Sequence, residues 1–516
     1  MDLTKTIQQL IDYCGTRGLI GPEDRAWAYN TVLDAIWAKG PAPEDAWVLG
    51  GGTEPPRFDL EAALLAIGDA AVANGAEDDT ASGRDRIAMR VMGALMPRPS
   101  EVAARFHDSL AAGNPREATG TFYRTCCDAG YVRRAAIARN VKWNAATEWG
   151  DLEITINLSK PEKDPREIAA AGAAEDDGEK YPACQLCIQN EGYPGRAAAA
   201  AGGAHPARQN LRIVPIELAG ERWGLQYSPY AYFNEHCIAM SAVHRPMHID
   251  RDALEHLFDF VDLVPHYFIG SNADLPIVGG SILSHDHYQG GAHVFPMMKA
   301  KTADTFAMKR YPHVECEVLR WPMSALRLHS RARAEVLEAA VHVVDVWRAW
   351  TDVSVGVVAR DEDGTPHNTV TPVVRRVGAT YEVYLALRCN VTSEENPLGD
   401  FHPHAQWHHI KRENIGLIEV MGLAILPARL VGELAAVKKH LLAGDLDALE
   451  ADEASASHAA WAREIAAAHP ELNEDNADDI LREGVGQVFG HVLEDAGVFK
   501  WDEAGRAAQR RFVDSL

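Results

Sequence analysis

The residues best suited to chemistry lie in one short segment, GGSILSHDHYQGGAH at positions 279–293. His285, His287 and Gln289 stand at every second position, so an extended backbone places all three side chains on one face, about 7 Å between successive pairs. The surrounding glycines let a phosphate approach the main chain and leave N–H groups to bind it. A neutral imidazole there can attack phosphorus, while an amide donates to a phosphoryl oxygen. The same spacing is also typical of a histidine-containing turn or a metal-binding strand.

A Cys-x-x-Cys pair, Cys184 and Cys187, is the second candidate for chemistry. One such pair supplies half of a tetrahedral zinc site, so the motif predicts a metal only if two further ligands exist. A reduced cysteine pair beside a loop explains the same residues. A redox role is disfavoured, because no βαβ pattern of the thioredoxin kind surrounds the pair.

The elements that must position these residues change character along the chain. The first 115 residues are typical of helices, with helices predicted at 25–39 and 59–73 and an exposed polar loop at 74–86. A helix is also predicted at 251–264, with Asp250 as its N-cap. Strands are predicted, by composition and alternation, at EITINL, LRIVPIEL, WGLQYS, HCIAMSAV, PIVGGSIL, VSVGVVA, TVTPVVRR and TYEVYLALRC.

The strand runs occur in two series, each with a helix, the second helix being predicted at 414–423. We therefore predict an α+β protein built of two related sheet-plus-helix halves flanked by helices. A charged, Pro-containing segment at 159–182 is predicted to be a surface insertion. The predicted parts are a helical N-terminal region (1–150), a catalytic half (151–330), a second half (331–430) and a helical C-terminal tail (431–516).

Composition narrows the class of protein. The chain has 516 residues, of which 47% are hydrophobic and 24% charged, as in ordinary globular proteins. Its formal net charge of 50 − 74 = −24 repels a phosphate backbone and argues against nucleic-acid binding. The sequence begins without a signal-peptide pattern and contains no run of about 18 apolar residues, so no membrane segment is predicted. With eight sparse cysteines, we expect a reduced, cytoplasmic protein.

The motif at 285–291 resembles the histidine-triad superfamily pattern, His-x-His-x-(His or Gln)-x-x, with the Gln that marks its nucleotidyl-transferase branch. Longer segments resemble the class II bacterial galactose-1-phosphate uridylyltransferases, and the resemblance extends over most of the chain. It implies that the two halves are histidine-triad-like. The segments that carry it are INLSKPEKDP (156–165), CQLCIQNEGYPGR (184–196), NLRIVPIEL (210–218), SPYAYFNEHCIAMSAVHRPM (228–247), SILSHDHYQGGAH (281–293), HNTVTPVVRR (367–376) and HPHAQWHHIKRENIGLIEVMGLAILP (402–427).

The resemblance implies a ping-pong transfer of UMP in galactose metabolism, the Leloir pathway. His287 matches the family nucleophile, which attacks UDP-glucose, releases glucose 1-phosphate and carries the uridylyl group. Galactose 1-phosphate then takes that group and leaves as UDP-galactose. Gln289 matches the residue that bonds the transferred phosphoryl group, and an amide cannot shuttle a proton to activate water. The family uses no organic cofactor, and its members are often dimers, so a homodimer is expected.

The resemblance also implies binding residues. Asn272 is similar to a nucleotide-contacting asparagine and Ser281 to a phosphate-contacting serine. His244 and His285 occupy places similar to the two histidines that complete a Cys2His2 zinc site with the cysteines in class I enzymes. Such a zinc would have a structural role, because it would fix the strand that presents the nucleophile. Guanidinium groups suit the phosphate of the acceptor sugar, although most arginines simply face water, and three are candidates: Arg196, Arg208 and Arg212.

The third histidine-rich feature, the segment from His402 to His409, stays unassigned between a metal site, a contact to the hexose phosphate and a solvated loop. Two rival functions also stay open. A dinucleotide phosphorylase or nucleotidyl hydrolase of the same superfamily would use the same histidine adduct with phosphate or water as acceptor. A zinc-stabilised nucleotide-binding protein would use no adduct at all.

Overall fold

The protein combines helices and sheets, which confirms the predicted α+β class. The computed structural model describes residues 2–40, 58–159, 181–197, 200, 203–280 and 282–516. Ser281 and most of the predicted insertion lie outside the described residues. Within them, no helix is long and apolar enough to cross a lipid bilayer.

The helices and strands are numbered here in chain order. The α-helices are α1 (Leu3–Thr16), α2 (Arg25–Ala35), α3 (Leu60–Ala73), α4 (Ala81–Ala94), α5 (Pro99–Ala111), α6 (Pro115–Asp128), α7 (Arg134–Ala138), α8 (Arg251–Leu263), α9 (Pro296–Lys299), α10 (Arg333–Arg348), α11 (Leu417–Val420), α12 (Leu430–Ala443), α13 (Leu446–Ala451), α14 (Ala459–Ala468), α15 (Ala477–Ala496) and α16 (Glu503–Asp514). The strands are β1 (Val141–Thr147), β2 (Gly150–Ile156), β3 (Val214–Leu218), β4 (Glu221–Tyr227), β5 (Cys237–Ser241), β6 (Phe268–Gly270), β7 (His287–Gly291), β8 (Thr302–Phe306), β9 (Glu315–Leu319), β10 (Ala325–Ser330), β11 (Asn368–Val377), β12 (Thr380–Cys389) and β13 (Leu423–Leu426).

The chain forms two compact units, the first of which comprises Met1–Ala138, Ser159–Ala231 and Glu235–Arg245. Helices α1–α7 occupy most of the predicted helical N-terminal region, and the apolar faces of α1–α4 meet in one buried core. Strands β3, β4 and β5 follow one another as an antiparallel meander. The chain leaves β5 towards His244, so this meander positions one of the candidate metal ligands.

The second unit comprises Arg139–Leu158, Tyr232–Asn234 and Pro246–Leu516. Seven of its strands run in the order β7-β6-β11-β12-β10-β9-β8, and every pairing along this series is antiparallel. Helix α8 packs against β6 and β11, while α10 packs against β10, β11 and β12. The first seven residues of β11 are all buried, as expected for a strand covered on both faces.

A smaller sheet in the second unit joins distant parts of the sequence. Strands β1 and β2 form an antiparallel hairpin, and β13 pairs with β2 in parallel, with Leu423 opposite Glu153. Helix α15 packs closely on β1, because a Cβ built at Gly486 would lie only 2.0 Å from the Cβ of Ala145. The predicted helical tail is therefore part of the core of this unit rather than an appendage.

Two of the predicted strands are wrong. At VSVGVVA, the carboxylate of Asp352 accepts a hydrogen bond from the Ser354 N–H (3.2 Å), so a short 3-10 helix forms and ends at Gly356, whose φ is +72°. At PIVGGSIL, the described residues form a turn, in which Ile277 adopts a φ of +71°. A Cβ at Gly279 would lie 2.5 Å from the Leu275 carbonyl oxygen, so the turn needs that glycine.

Two other boundaries differ from the prediction. The helix predicted at 414–423 shrinks to α11, because Gly422 adopts a φ of +98° and the chain then enters β13. The loop predicted at 74–86 ends earlier, because the Thr80 hydroxyl accepts a hydrogen bond from the Gly83 N–H (2.9 Å) and starts α4. A threonine N-cap was the signal that the composition-based reading missed. The four-part division of the chain stays a prediction.

The predicted N-cap of α8 is confirmed, since Oδ1 of Asp250 accepts a hydrogen bond from the Ala253 N–H at 3.0 Å. Replacing Asp250 with alanine leaves that N–H without its partner, and we expect a loss of about 1 kcal/mol in unfolding free energy. The measurement is chemical denaturation followed by tryptophan fluorescence. Asp252→Ala, on the exposed first turn of α8, is the control and is expected to cost about half as much or less.

Candidate functional site

The first residue of β7 is His287, and its ring is fixed by a neighbouring main-chain group. The Nδ1 atom of His287 lies 2.7 Å from the carbonyl oxygen of His285. A carbonyl oxygen can only accept, so Nδ1 carries the proton in this hydrogen bond. In the neutral ring, Nε2 then keeps a lone pair, which is the form of histidine that can act as a nucleophile.

Burial sets the protonation state of the same imidazole. The pKa of His287 is lowered to about 4, chiefly because burial removes the ring from water. The hydrogen bond to the His285 carbonyl raises the pKa and the charge of the neighbouring His285 ring lowers it, and both effects are smaller than that of burial. His287 is only 6% exposed. At neutral pH the ring is therefore uncharged, and no proton has to leave Nε2 before it can attack an electrophile.

Gln289 lies two residues further along β7, on the same face of the strand as His287. It stands opposite Gly270 of β6, where a Cβ would come within 2.8 Å of the Pro372 carbonyl oxygen. The extended segment predicted from the motif is therefore present in part, since β7 starts at His287 and His285 lies two residues before it. The arrangement offers an amide donor beside a neutral imidazole.

Asn272 follows β6, and the oxygen of its side-chain amide makes a structural hydrogen bond. Its Oδ1 accepts a hydrogen bond from the Leu417 N–H at the start of α11 (2.9 Å). A Cβ at Gly280 would lie 2.6 Å from the Nδ2 atom, so the loop before the histidine motif passes directly over this side chain. Contact with a nucleotide stays a prediction for Asn272, with the Nδ2 donor as the group that would make it.

A cluster of Cys and His side chains that could hold a metal ion is present, and its members are the four predicted ligands, Cys184, Cys187, His244 and His285. The Sγ atoms of the two cysteines are 3.6 Å apart, and Cys187 Sγ lies 3.2 Å from Nδ1 of His244. Among the described residues, no other group of three or more His, Cys, Asp or Glu side chains is close enough to share an ion.

These distances fit a tetrahedral zinc ion. Zn–S bonds of about 2.3 Å at tetrahedral angles place two sulfurs about 3.8 Å apart, close to the 3.6 Å between Cys184 and Cys187. Two sulfurs with imidazole nitrogens are also the donor set that zinc prefers. Burial raises the pKa of Cys184 to about 11, so a bound cation would have to displace the thiol proton.

The three predicted phosphate-binding arginines lie in the first unit and are engaged with main-chain carbonyl groups. Arg196 donates to the Gly203 carbonyl (3.1 Å) and lies over the ring of Tyr193. Arg208 is buried and donates to its neighbour's carbonyl. The buried Arg212 guanidinium donates to four carbonyl oxygens, those of Pro97, Gln209, Leu211 and Gly93. A phosphate-binding role stays a prediction for all three, and the contacts of Arg212 favour a structural one.

The histidines of the 402–409 segment each find partners within the second unit. His402 bonds Asn414 (3.1 Å), and His404 lies 3.4 Å from a carboxylate oxygen of Asp495. Nε2 of His408 donates to the Pro403 carbonyl (2.9 Å), and Nδ1 of His409 donates to that of Gln406 (2.9 Å). The metal-binding alternative therefore has no ligand group within the described residues.

Two contacts that hold β7 were missed in the sequence. The Tyr288 hydroxyl lies 3.1 Å from Nδ1 of His256 on α8, so the residue after His287 anchors the opposite face of the strand. Nε2 of His293 lies 2.8 Å from Oε2 of Glu153 on β2 and connects the end of the motif to the smaller sheet. The alternation of side chains along a strand could have indicated that Tyr288 faces away from His287. The contact between His293 and Glu153 joins residues far apart in sequence and had no such signal.

Comparison with known proteins identifies the class to which this chain belongs. Residues 46–246 match the family model of the galactose-1-phosphate uridyl transferase N-terminal domain, and residues 260–463 match that of the C-terminal domain. The galactose-1-phosphate uridylyltransferase of Bacillus subtilis (strain 168) is 45% identical over 100% of this chain and 98% of its own length. The galactose-1-phosphate uridylyltransferase of Halalkalibacterium halodurans is 46% identical over 99% of this chain and 98% of its own length. That of Lacticaseibacillus casei is 49% identical over 87% of this chain and 88% of its own length.

Among solved structures, the crystal structure of yeast Ap4A phosphorylase Apa2 aligns with 66% of this chain and 91% of the yeast chain. The sequence identity is 11% and the TM-score is 0.33, which does not establish a shared fold. The full-length matches, the α+β fold and the neutral imidazole beside an amide define a nucleotidyltransferase. Within that class, the chain belongs to the galactose-1-phosphate uridyl transferase family.

Proposed function

We propose that this protein transfers UMP from UDP-glucose to galactose 1-phosphate through a covalent uridylyl group on His287. The observation that carries the proposal is the state of that imidazole, which is buried, uncharged and protonated on Nδ1, so that Nε2 is nucleophilic. Full-length similarity to galactose-1-phosphate uridylyltransferases supports the choice of substrates.

In the first step, the Nε2 lone pair of His287 attacks the α-phosphorus of UDP-glucose. A P–N bond forms, and the bond between the α-phosphorus and the bridging oxygen breaks. The electron pair of that bond leaves with glucose 1-phosphate. The ring gains positive charge, which the His285 carbonyl oxygen stabilises through the Nδ1–H hydrogen bond.

In the second step, a phosphate oxygen of galactose 1-phosphate attacks the same phosphorus from the side that the leaving group vacated. The P–N bond breaks, its electron pair returns to Nε2 of His287, and UDP-galactose departs. The enzyme ends in its starting state without a net gain or loss of protons. This explains why a histidine with a low pKa serves here, since neither step needs a general acid on the ring.

Gln289 favours transfer to a sugar phosphate over hydrolysis. Its amide donates to a phosphoryl oxygen of the group in transit. An amide does not take a proton from water, so the intermediate persists until a strong phosphate nucleophile arrives. A dinucleotide phosphorylase would share the adduct and differ only in the acceptor, so the acceptor must be tested directly.

We further propose that the Cys184, Cys187, His244 and His285 cluster holds zinc in a structural role. Zinc would fix the His285 side chain, while the main chain of the same residue orients the ring of His287. All eight cysteines are described and are thiols, which supports a reducing, cytoplasmic location. A homodimer stays a prediction, and sedimentation equilibrium is the measurement that tests it.

Intact-protein mass spectrometry after brief mixing with UDP-glucose alone tests the proposed reaction. We expect a gain of one uridylyl group per chain, which galactose 1-phosphate removes as UDP-galactose. Inorganic phosphate and water are the alternative acceptors in parallel samples. If they discharge the adduct while galactose 1-phosphate does not, the protein is a phosphorylase or hydrolase instead.

The low pKa of His287 predicts an unusual pH profile for adduct formation. Protonation fills the Nε2 lone pair, so the rate falls as the pH falls through the pKa of about 4. As far as this ring is concerned, we expect a constant rate from pH 8 down to about pH 5, whereas a solvated imidazole would lose half its activity near pH 6.5. Quenched-flow measurement of the adduct against pH, on protein shown to stay folded, distinguishes the two profiles.

A further inference from the structure

A cavity of about 510 Å³ lies in the second unit, away from His287, Gln289, Asn272 and the Cys/His cluster, none of which lines it. Two of its lining residues, His408 and His409, belong to the 402–409 segment whose role the sequence left open. Its volume falls within the ~300–1,000 Å³ typical of small-molecule sites. The cavity is lined by Ala405, Gln406, His408, His409, Arg412, Glu413, Arg429 and Ser457.

The lining is polar and carries charges of both signs. Arg412 and Arg429 carry two positive charges and Glu413 one negative charge, which gives 2 − 1 = +1 with the imidazoles counted as neutral. Glu413 lies 3.4 Å from Nζ of the buried Lys411, and the same ammonium group lies closer to Glu419, at 2.6 Å. In a chain of net charge −24, two arginines at one concave surface are a local concentration of positive charge. Arg429 is paired with Glu433, so Arg412 is the group that attracts an anion.

The two arginines differ in their contacts. Arg429 pairs with Glu433 and donates to the His409 carbonyl oxygen (3.1 Å), so it holds the cavity wall in place. Glu433 in turn lies 2.9 Å from Nε2 of the buried His458, the residue after Ser457. Arg412 is exposed, and within the described part of the chain its guanidinium group has no hydrogen-bond partner. Arg429 is held in place by its contacts, and the guanidinium group of Arg412 can form new hydrogen bonds, so the pair is suited to binding a phosphate group.

The remaining lining groups are suited to hydroxyl groups. Nε2 of His408 donates to the Pro403 carbonyl, which leaves Nδ1 for a ligand. Ser457 and Gln406 can each donate and accept. Among the described residues, the only group of three or more candidate metal ligands lies elsewhere, so an anion rather than a metal ion suits this cavity.

We propose that this cavity is a second, non-catalytic binding site for a sugar phosphate. The phosphate group lies between Arg412 and Arg429, and the sugar hydroxyls bond to Ser457, Gln406 and His408. The ligand is either a hexose 1-phosphate of the reaction itself, bound at a second position, or another phosphorylated sugar. Both share the chemistry of an anionic ester with several hydroxyl groups.

Isothermal titration of the full-length protein, without any UDP-sugar, tests the proposal. The probes are glucose 1-phosphate, glucose 6-phosphate and inorganic phosphate. With a sugar phosphate we expect one binding event in the wild-type protein that Arg412→Gln weakens on the order of ten-fold or more. Arg116→Gln, on the exposed face of α6, is the matched control and is expected to bind like the wild type.

Uridylyl adduct formation is measured on the same variants and is expected to stay unchanged in Arg412→Gln, which separates this site from the reaction at His287. Preference of the Arg412-dependent event for glucose 1-phosphate or for glucose 6-phosphate identifies the source of the ligand, and either supports the proposal. Identical binding of all probes by the wild type and Arg412→Gln would overturn it. Equally tight binding of inorganic phosphate would overturn the recognition of a sugar.

Discussion

Replacing His287 with alanine is expected to lower kcat/KM for UMP transfer by on the order of 10⁴-fold or more, because the reaction loses its only covalent route. Two further results are expected of the same variant, no uridylyl adduct with UDP-glucose and a thermal midpoint lowered by only a few degrees, because a small cavity and an unpaired carbonyl remain. The side chain donates one hydrogen bond, to the His285 carbonyl, so its removal costs the fold little compared with the chemistry. Steady-state kinetics, intact mass and differential scanning calorimetry on one preparation give all three values.

Tyr288→Phe is the matched control for that experiment. It removes the hydroxyl that lies 3.1 Å from His256 and leaves the nucleophile, so the strand loses an anchor while the chemistry remains. We expect a fall in rate of about ten-fold or less, with adduct still formed. An adduct on His287→Ala, or a loss of activity in Tyr288→Phe as large as that in the alanine variant, would contradict the role assigned to His287.

Loss of the metal cluster is expected to have the largest effect on stability. Metal analysis of the purified protein should find one zinc ion per chain, and Cys187→Ala should carry almost none. Because metal binding is coupled to folding, we expect the variant to lose on the order of 4 kcal/mol of unfolding free energy and to melt roughly 10 °C lower. Removing zinc from the wild type with a strong chelator should lower the midpoint by a similar amount, and zinc should restore it.

Cys316→Ala serves as the control, since Cys316 is also a buried thiol but is not a member of the cluster. Its loss leaves a small cavity and should cost about 1 kcal/mol, without a change in zinc content. If the wild type contains no zinc after purification in zinc-containing buffer, or if the two cysteine variants melt together, then the cluster is not a metal site and the zinc proposal fails.

Regular elements with strong local signals could be predicted from the sequence. Residues 251–264 carry an apolar face and a capping aspartate, and α8 spans Arg251–Leu263. TYEVYLALRC coincides with β12, because a β-branched and aromatic run pairs well wherever it lies in a sheet. The wrong strands, PIVGGSIL and VSVGVVA, have the composition of strands, but an Asp352 turn and positive φ values decide their conformation. Such backbone details are not visible in residue composition.

The residues of the candidate site could also be predicted only where the signal was local in sequence. His287 and Gln289 were accessible because their spacing within one strand is a local property. The Nδ1 hydrogen bond, which decides the tautomer of the nucleophile, depends on how the chain enters β7 and could not be deduced from residue types. Arg212 shows the limit of residue type alone, since a guanidinium in an acidic chain suits a phosphate, whereas its four hydrogen bonds to carbonyl groups depend on the fold. Its phosphate-binding role stays a prediction.

The parallel pairing of β13 with β2 has a consequence for synthesis of the protein on the ribosome. Leu423 pairs with Glu153, so β2 emerges 423 − 153 = 270 residues before its partner. At roughly 5–20 residues per second, that interval lasts about 15–50 s. During this time β2 has only the β1 hairpin beside it, and its other edge offers unpaired main-chain groups to any neighbouring nascent chain. Slow translation should therefore lower the soluble yield of this protein, because it lengthens the period in which that edge is open.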